Sequence, residues 1–281
     1  MSDANGPTVR RRRLGGELRR LRERAQLDQA DAATELECST SKISRSEKGL
    51  GLLKAMEMDR LLNLYGVTDS DERAKLHAIR RAASESGWWE QDQYEEVLPS
   101  GLGVYGGLEY DARQVQAWEL GLVPGLVQTP DYARALFTGS SDVDRLVDVR
   151  MKRQARLTDG ANPLELWAVI DEFALRRPIG GRDVMREQIA ALAAAAERPN
   201  ITIQVYPVDK AYHPGLRGSF TILDFGHSDP QIGYVDSPAG NSFLERAKQV
   251  HALTHTFDRL KAGALDIPES AALLNSLAAK E

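Results

Sequence analysis

Residues 39–49 read STSKISRSEKG. One apolar side chain, Ile43, stands alone among polar and charged neighbours, and a glycine closes the run. Ser39 or Thr40 suits an N-cap and Gly49 a C-terminal stop, so the spacing predicts a short helix. A helix with one inward anchor buries little of its own surface. It must be seated on other helices through Ile43 while its remaining side chains face outward.

The flanking sequence supplies those helices. Upstream, Leu14, Leu18, Leu21 and Ala25 recur every three or four residues with charges between them, the pattern of an amphipathic helix. After the break QLDQ, Asp28 is placed to cap a second helix, QADAATEL, with Ala30, Ala33 and Leu36 as a narrow face of small residues. Downstream, Met56, Leu61, Leu62 and Leu64 mark a further helix, and residues 71–86 read as a connecting helix. Several short helices in residues 14–70, two of them joined by a very short turn, predict an all-α helix-turn-helix bundle. In that motif the second helix lies in the major groove of DNA, its N-terminal residues at base edges, while the first crosses the backbone.

Net charge alone would argue against a polyanion partner. The 281-residue chain carries 36 Lys+Arg and 41 Asp+Glu, a balance of −5. The distribution is uneven: residues 1–60 balance at +3 and the remainder at −8, and residues 10–24 hold eight arginines against two glutamates. A basic head on an acidic body fits a polyanion-binding module joined to something that avoids polyanions. Arg10, Arg11, Arg12 and Arg13 read as a flexible basic arm over residues 1–13. The arm either follows the DNA backbone or minor groove, or is a basic tail adding nonspecific affinity.

Length gives about two domains. Apolar residues at 42% and charged residues at 27% are ordinary for a folded chain. No apolar run approaches the length of a membrane span, and no apolar core follows the N-terminal arginines as in a secretory signal. Cys38 is the only cysteine, which precludes an intrachain disulfide and predicts a cytoplasmic setting.

After Ser86 the composition shifts. Trp88, Trp89 and Trp118 fall close together, and strand-like runs appear at 164–170, 201–207, 219–225 and 231–236. Helices are predicted over 129–137, with Thr129 as N-cap and Pro130 at the first position, over 183–197, and through the C-terminal end. Residues 87–281 therefore read as an α+β domain.

Other motifs fail on context. GLGVYG (101–106) has the letters of a dinucleotide fingerprint but lacks a preceding strand. His251 and His255 have zinc-helix spacing without the glutamate a zinc protease needs. Asp171 and Glu172 read as a turn rather than a catalytic pair. No phosphate-binding loop or serine elbow appears, so no cofactor, metal or catalytic residue is expected and a non-enzymatic protein is. Trp88 and Trp89 suit a core or domain-junction anchor, or a partner contact. Tyr212, His213 and Arg217, in the mixed loop AYHPGLRGSF, are candidates for ligand or partner contact.

The stretch LRRLRERAQLDQADAATELECSTSKISRSEKG resembles the lambda-repressor-like, Xre-type helix-turn-helix regulators. That resemblance implies base reading by Thr40, Ser41 and Arg45, and backbone contacts by Gln29, Ser39 and Lys42. A single recognition helix buries little surface, so a dimer on two half-sites of operator DNA is expected. Glu47 is placed to contact DNA or, as expected here, to bond to an arginine or a helix terminus within the module. Two positions depart from the family: Glu37 replaces the usual turn glycine, where the backbone favours positive φ, and Ser46 replaces a buried aliphatic residue. The motifs GWW, LVPGLVQTPDYARA, DEFALRRPIGG and HPGLRGSFTILDF resemble the long C-terminal domain of actinobacterial Xre-type regulators of the WhiJ-like, antitoxin-like kind. That likeness implies a regulator controlled by a small acidic protein encoded nearby.

Overall fold

A computed structural model describes residues 9–84, 102–158, 160, 162–210, 212–226, 230–238 and 240–279. Trp88 and Trp89 lie outside these residues. The chain divides into two compact units, with described residues 9–84 and 102–111 in the first and 112–279 in the second.

The first unit is helical: α1 (Val9–Arg24), α2 (Gln29–Glu35), α3 (Thr40–Glu47), α4 (Ala55–Leu64), α5 (Ser70–Ser84) and α6 (Leu102–Asp111). Its core gathers Leu14, Leu18, Leu21, Ala32, Ala33, Leu36, Ile43, Met58, Leu61, Leu62 and Leu76. The predicted faces shift in detail. Ala30 is exposed and Ala32 takes its place in the core, while Met56 is 80% exposed and Met58 is fully buried. Residue 70 onward is more than a connector, because Leu76 enters the core and α5 packs on α1. The domain boundary also moves: α6, expected in the C-terminal domain, packs on α1. The residues of GLGVYG from Leu102 onward form the start of α6, so they make no phosphate-binding turn.

The second unit is α+β, as its alternating runs predict. Among the described residues β1 (Gln114–Glu119), β2 (Glu165–Asp171), β3 (Ile201–Tyr206), β4 (Phe220–Asp224), β5 (Ile232–Ser237) and β6 (Gly240–Leu244) form one sheet, in the order β3-β2-β1-β4-β5-β6. The first three strands are parallel, with Trp118 opposite Val169 and Ile170 opposite Val205. β4 joins β1 antiparallel, and β5 and β6 continue antiparallel. The crossover from β1 to β2 carries α7 (Pro130–Leu136) and α8 (Val143–Gln154); that from β2 to β3 carries α9 (Glu172–Arg176) and α10 (Arg182–Ala195). Thr129 caps α7, its hydroxyl accepting from the Tyr132 amide at 3.3 Å, with Pro130 in the first turn.

One sheet face presents Trp118, Val169, Tyr206, Phe220 and Ile222 to Phe257 and Leu260 of α11 (Ala247–Gly263). The outer edge of β3 is covered rather than open. The Val205 amide donates to Ser270 Oγ at 3.0 Å in α12 (Ile267–Ala278), and its carbonyl accepts from Leu265. Covering an edge in this way removes a template for aggregation. All three parallel strands end at one edge of the sheet, where Trp118, Asp171 and Tyr206 lie.

Candidate nucleic-acid interface

α3 has the caps its sequence calls for. Ser39 is the N-cap, its hydroxyl accepting from the Lys42 amide at 3.3 Å. Gly49 ends the helix at φ +70°. A side chain on Gly49 would also collide with the α1 backbone, 2.7 Å from the Arg12 nitrogen. Both constraints select glycine.

The seating of α3 is polar as well as apolar. Ile43 is buried at 1% exposure, and Glu47 lies behind it inside the bundle. Glu47 accepts from Arg22 Nε at 2.6 Å and from Arg22 Nη2 at 3.0 Å, and its second oxygen also accepts from Gln29 Nε2 at 2.9 Å. Arg22 Nη1 donates to the Leu27 carbonyl at 2.8 Å. One carboxylate therefore ties α1, the start of α2 and the end of α3 together. Bonding to Glu47 raises the Arg22 pKa above its ordinary value. Burial first, and the nearby Glu47 charge second, push the Tyr65 hydroxyl well above the ordinary tyrosine range.

Both departures from the family pattern are accommodated. Glu37 adopts φ +52°, the conformation that turn requires. Arg60 of α4 steadies it, bonding to the Glu35 side chain at 3.1 Å, the Glu35 carbonyl and the Glu37 carboxylate at 3.3 Å. Ser46 is buried, and Gly15 explains how a small residue fits there. A Cβ on Gly15 would sit 2.5 Å from the carbonyl oxygens of Ser46 and Glu47, so α1 lies directly against the α3 backbone.

The expected contact residues fall on one helix and its neighbour. Thr40, Ser41 and Arg45 are exposed. Ser39 is spent partly on its cap. Lys42 is half-buried and its Nζ lies 2.5 Å from Glu57 Oε1, so a carboxylate already holds the charge that the sequence reading assigns to a phosphate. Gln29 uses one amide proton on Glu47 and retains a second. Arg10–Arg13 depart from the arm reading: they form the first turns of α1, with Arg10 Nε 3.5 Å from Asp111 and Arg11 Nε donating to the Ala83 carbonyl at 3.2 Å. Only Arg13 of the four is exposed. Sequence reasoning missed Glu57 and Arg60, whose partners lie about 15 to 25 residues away and carry no local signal.

In the second unit the candidate loop separates. Tyr212 and Arg217 are exposed, whereas His213 is buried at 4%. Asp171 and Glu172 are also buried. Asp171 caps α9, accepting from the Phe173 amide at 2.9 Å, and Glu172 accepts from the Val208 amide at 2.9 Å and pairs with Arg176. His251 and His255 are exposed on α11, and no cluster that could hold a metal occurs among the described residues. No helix among the described residues is long and apolar enough to cross a membrane.

The fold of the first unit is that of a helix-turn-helix domain, and residues 13–76 match the family described as a helix-turn-helix domain. Such a domain supports a DNA-binding regulatory role. Residues 102–276, more than half of the chain, match the domain of unknown function DUF5753, and the chain belongs to that family. No curated protein and no solved structure matches it.

Proposed function

We propose that the protein is a sequence-specific transcriptional regulator of the Xre type, with α3 entering the major groove of operator DNA. Thr40, Ser41 and Arg45 read base edges; Gln29, Ser39 and Lys42 hold the backbone, and Arg10–Arg13 add electrostatic attraction. The observation that carries this reading is the outward polar face of α3, seated by buried Ile43 and by Glu47. Such a helix is too small to give specificity alone, so the chain acts as a homodimer on two half-sites about 34 Å apart. The protein works in the cytoplasm and performs no catalysis.

The second unit is the sensor, binding a small protein partner or a ligand, in keeping with the WhiJ-like, antitoxin-like resemblance. Its exposed Leu122, Phe173, Val208, Tyr212 and Leu216 all follow the ends of the parallel strands, which supports a contact surface there. Genome-wide footprinting of wild type and Arg45→Ala tests the DNA reading. Discrete wild-type sites that blur in the variant support it, and uniform wild-type coverage contradicts it. Failure of any small neighbouring-gene protein to co-purify would leave a ligand as the sensor's input.

A further inference from the structure

Three apolar side chains stand in register beyond the ends of the parallel strands. Glu119, Ile170 and Val205 lie side by side in β1, β2 and β3. The third residue past each is Leu122, Phe173 and Val208. All three are exposed, Phe173 at 60%. Single apolar residues scattered on a surface are ordinary, but a row in register is a patch. Leu216, on the strap 212–219, is exposed beside it. The strap is tied to the same edge: the Gly215 carbonyl accepts from Trp118 Nε1 at 2.9 Å, and Ser219 Oγ accepts from the Leu120 amide at 3.0 Å.

The row is held from below. The Phe173 amide donates to Asp171 Oδ1 at 2.9 Å and the Val208 amide to Glu172 Oε2 at 2.9 Å, both carboxylates being buried. The Val123 amide, next to Leu122, donates to the Tyr132 hydroxyl at 3.1 Å. A fixed backbone behind outward apolar side chains is preorganised, which lowers the cost of binding.

Spacing selects the occupant. Neighbouring strands lie about 4.8 Å apart, so the row covers about 10 Å in two steps. An α-helix rises about 5.4 Å per turn and brings residues i, i+3 or i+4, and i+7 to one face. A helix laid across the strand ends meets the row step for step. An extended peptide repeats a face about every 6.8 Å and falls out of step.

Charge narrows the choice. The strand exits 120–124, 172–177 and 207–210 and the strap 212–219 hold four Lys+Arg against two Asp+Glu. One of those two carboxylates, Glu172, is buried and paired with Arg176. Arg177, Lys210 and Arg217 are exposed, and among the described residues no carboxylate pairs with them; Lys210 donates to the Gly263 carbonyl. A second copy on this face would set those cations against their own kind across a two-fold axis. Duplex DNA would answer the cations and leave the apolar row uncovered.

We infer that Leu122, Phe173 and Val208, with Leu216 beside them, take one amphipathic α-helix of a partner protein, with apolar residues at i, i+3 or i+4, and i+7 and carboxylates on its flanks. Phe173 is the central anchor. This deepens the sensor reading and rests on it only for an effect on DNA; helix binding itself is measured without DNA, so either reading can fail alone.

The test screens a displayed library of 16-residue helical peptides against the full-length protein. Enriched peptides should repeat the i, i+3 or i+4, i+7 apolar pattern and carry net negative charge. Their dissociation constants, read by fluorescence anisotropy, should rise at least about tenfold in Phe173→Ser and rise in the double variant Arg177→Glu with Arg217→Glu. They should stay level in Met56→Ser, which removes a more exposed apolar side chain from the first unit. No enrichment, peptides without the pattern or with net positive charge, or affinity unchanged by Phe173→Ser overturns the site. A dimer that Phe173→Ser dissociates would assign the face to a second copy, and loss of duplex affinity in that variant would assign it to nucleic acid; either result overturns the inference. A peptide that binds as expected and leaves operator affinity unchanged contradicts the sensor reading alone.

Discussion

Glu47 of α3 and Arg22 of α1 meet side by side inside the first unit, with two bonds of 2.6 and 3.0 Å and both side chains almost wholly enclosed. The pair ties the last turn of α3 to α1. Removing one partner strands the other in a dry interior, so Glu47→Ala or Arg22→Ala should cost about 3–5 kcal/mol in urea unfolding. The double replacement Arg22→Met with Glu47→Leu should cost much less. A double variant whose loss equals the sum of the two single losses would show that the residues do not act as a pair.

Gly15 permits the close packing of α1 on α3. Gly15→Ala places a methyl group 2.5 Å from two carbonyl oxygens and should destabilise by about 1–3 kcal/mol. On an open helix surface the same change would stabilise by up to about 1 kcal/mol. Thermal unfolding gives the sign.

Glu37→Gly relieves a non-glycine residue at φ +52°. The gain of about 1 kcal/mol is partly offset by loss of an exposed ion pair to Arg60, worth at most about 1 kcal/mol. A net gain of a few tenths is expected, with Arg60→Ala showing no compensating benefit.

These positions show how far the sequence could be read. Capping at Asp28, Ser39 and Thr129, the Gly49 stop and the four apolar strands were legible, because each is set by neighbours within a few residues. β1 was missed although QVQAW alternates in the manner of a strand, since two glutamines in a six-residue run weaken its apolar signal. β6 was missed because GNSFL has weak strand propensity and forms through its hairpin with β5. The residues proposed to face DNA were named from the motif, and the structure leaves Thr40, Ser41 and Arg45 exposed on α3. The Lys42–Glu57 and Arg60–Glu37 pairs could not be named in this way, because tertiary packing alone brings them together.

Glu119 gives the second unit a pH signature. Burial first, aided by Asp236 and opposed by Ser219 and Arg150, raises its pKa from 4.5 to about 7. The folded state therefore holds a proton that the unfolded chain has released between those values. Stability falls as pH rises through that window and is level above it. Glu119→Gln should flatten the profile and gain about 1–3 kcal/mol over wild type at pH 8. A wild-type profile that rises from pH 5 to 7 would contradict the assignment, provided the variant shows the same rise.

On the proposed reading, Glu57 competes with the DNA backbone for the Lys42 ammonium. Glu57→Gln retains an oxygen for the Lys54 amide but frees the ammonium, so it should strengthen binding to all DNA sequences alike. Lys42→Ala should weaken binding uniformly and reduce the salt slope by about 0.9.

The most direct test of α3 as the reading helix is the affinity of wild type and Arg45→Ala for a footprinted site and for a scrambled duplex, across a salt series. Wild type should prefer the site at every salt concentration. Arg45→Ala should lose about 1–3 kcal/mol of that preference while nearly keeping its affinity for the scrambled duplex. Equal wild-type affinity for both duplexes throughout the series, or an unchanged preference in Arg45→Ala, would contradict the account.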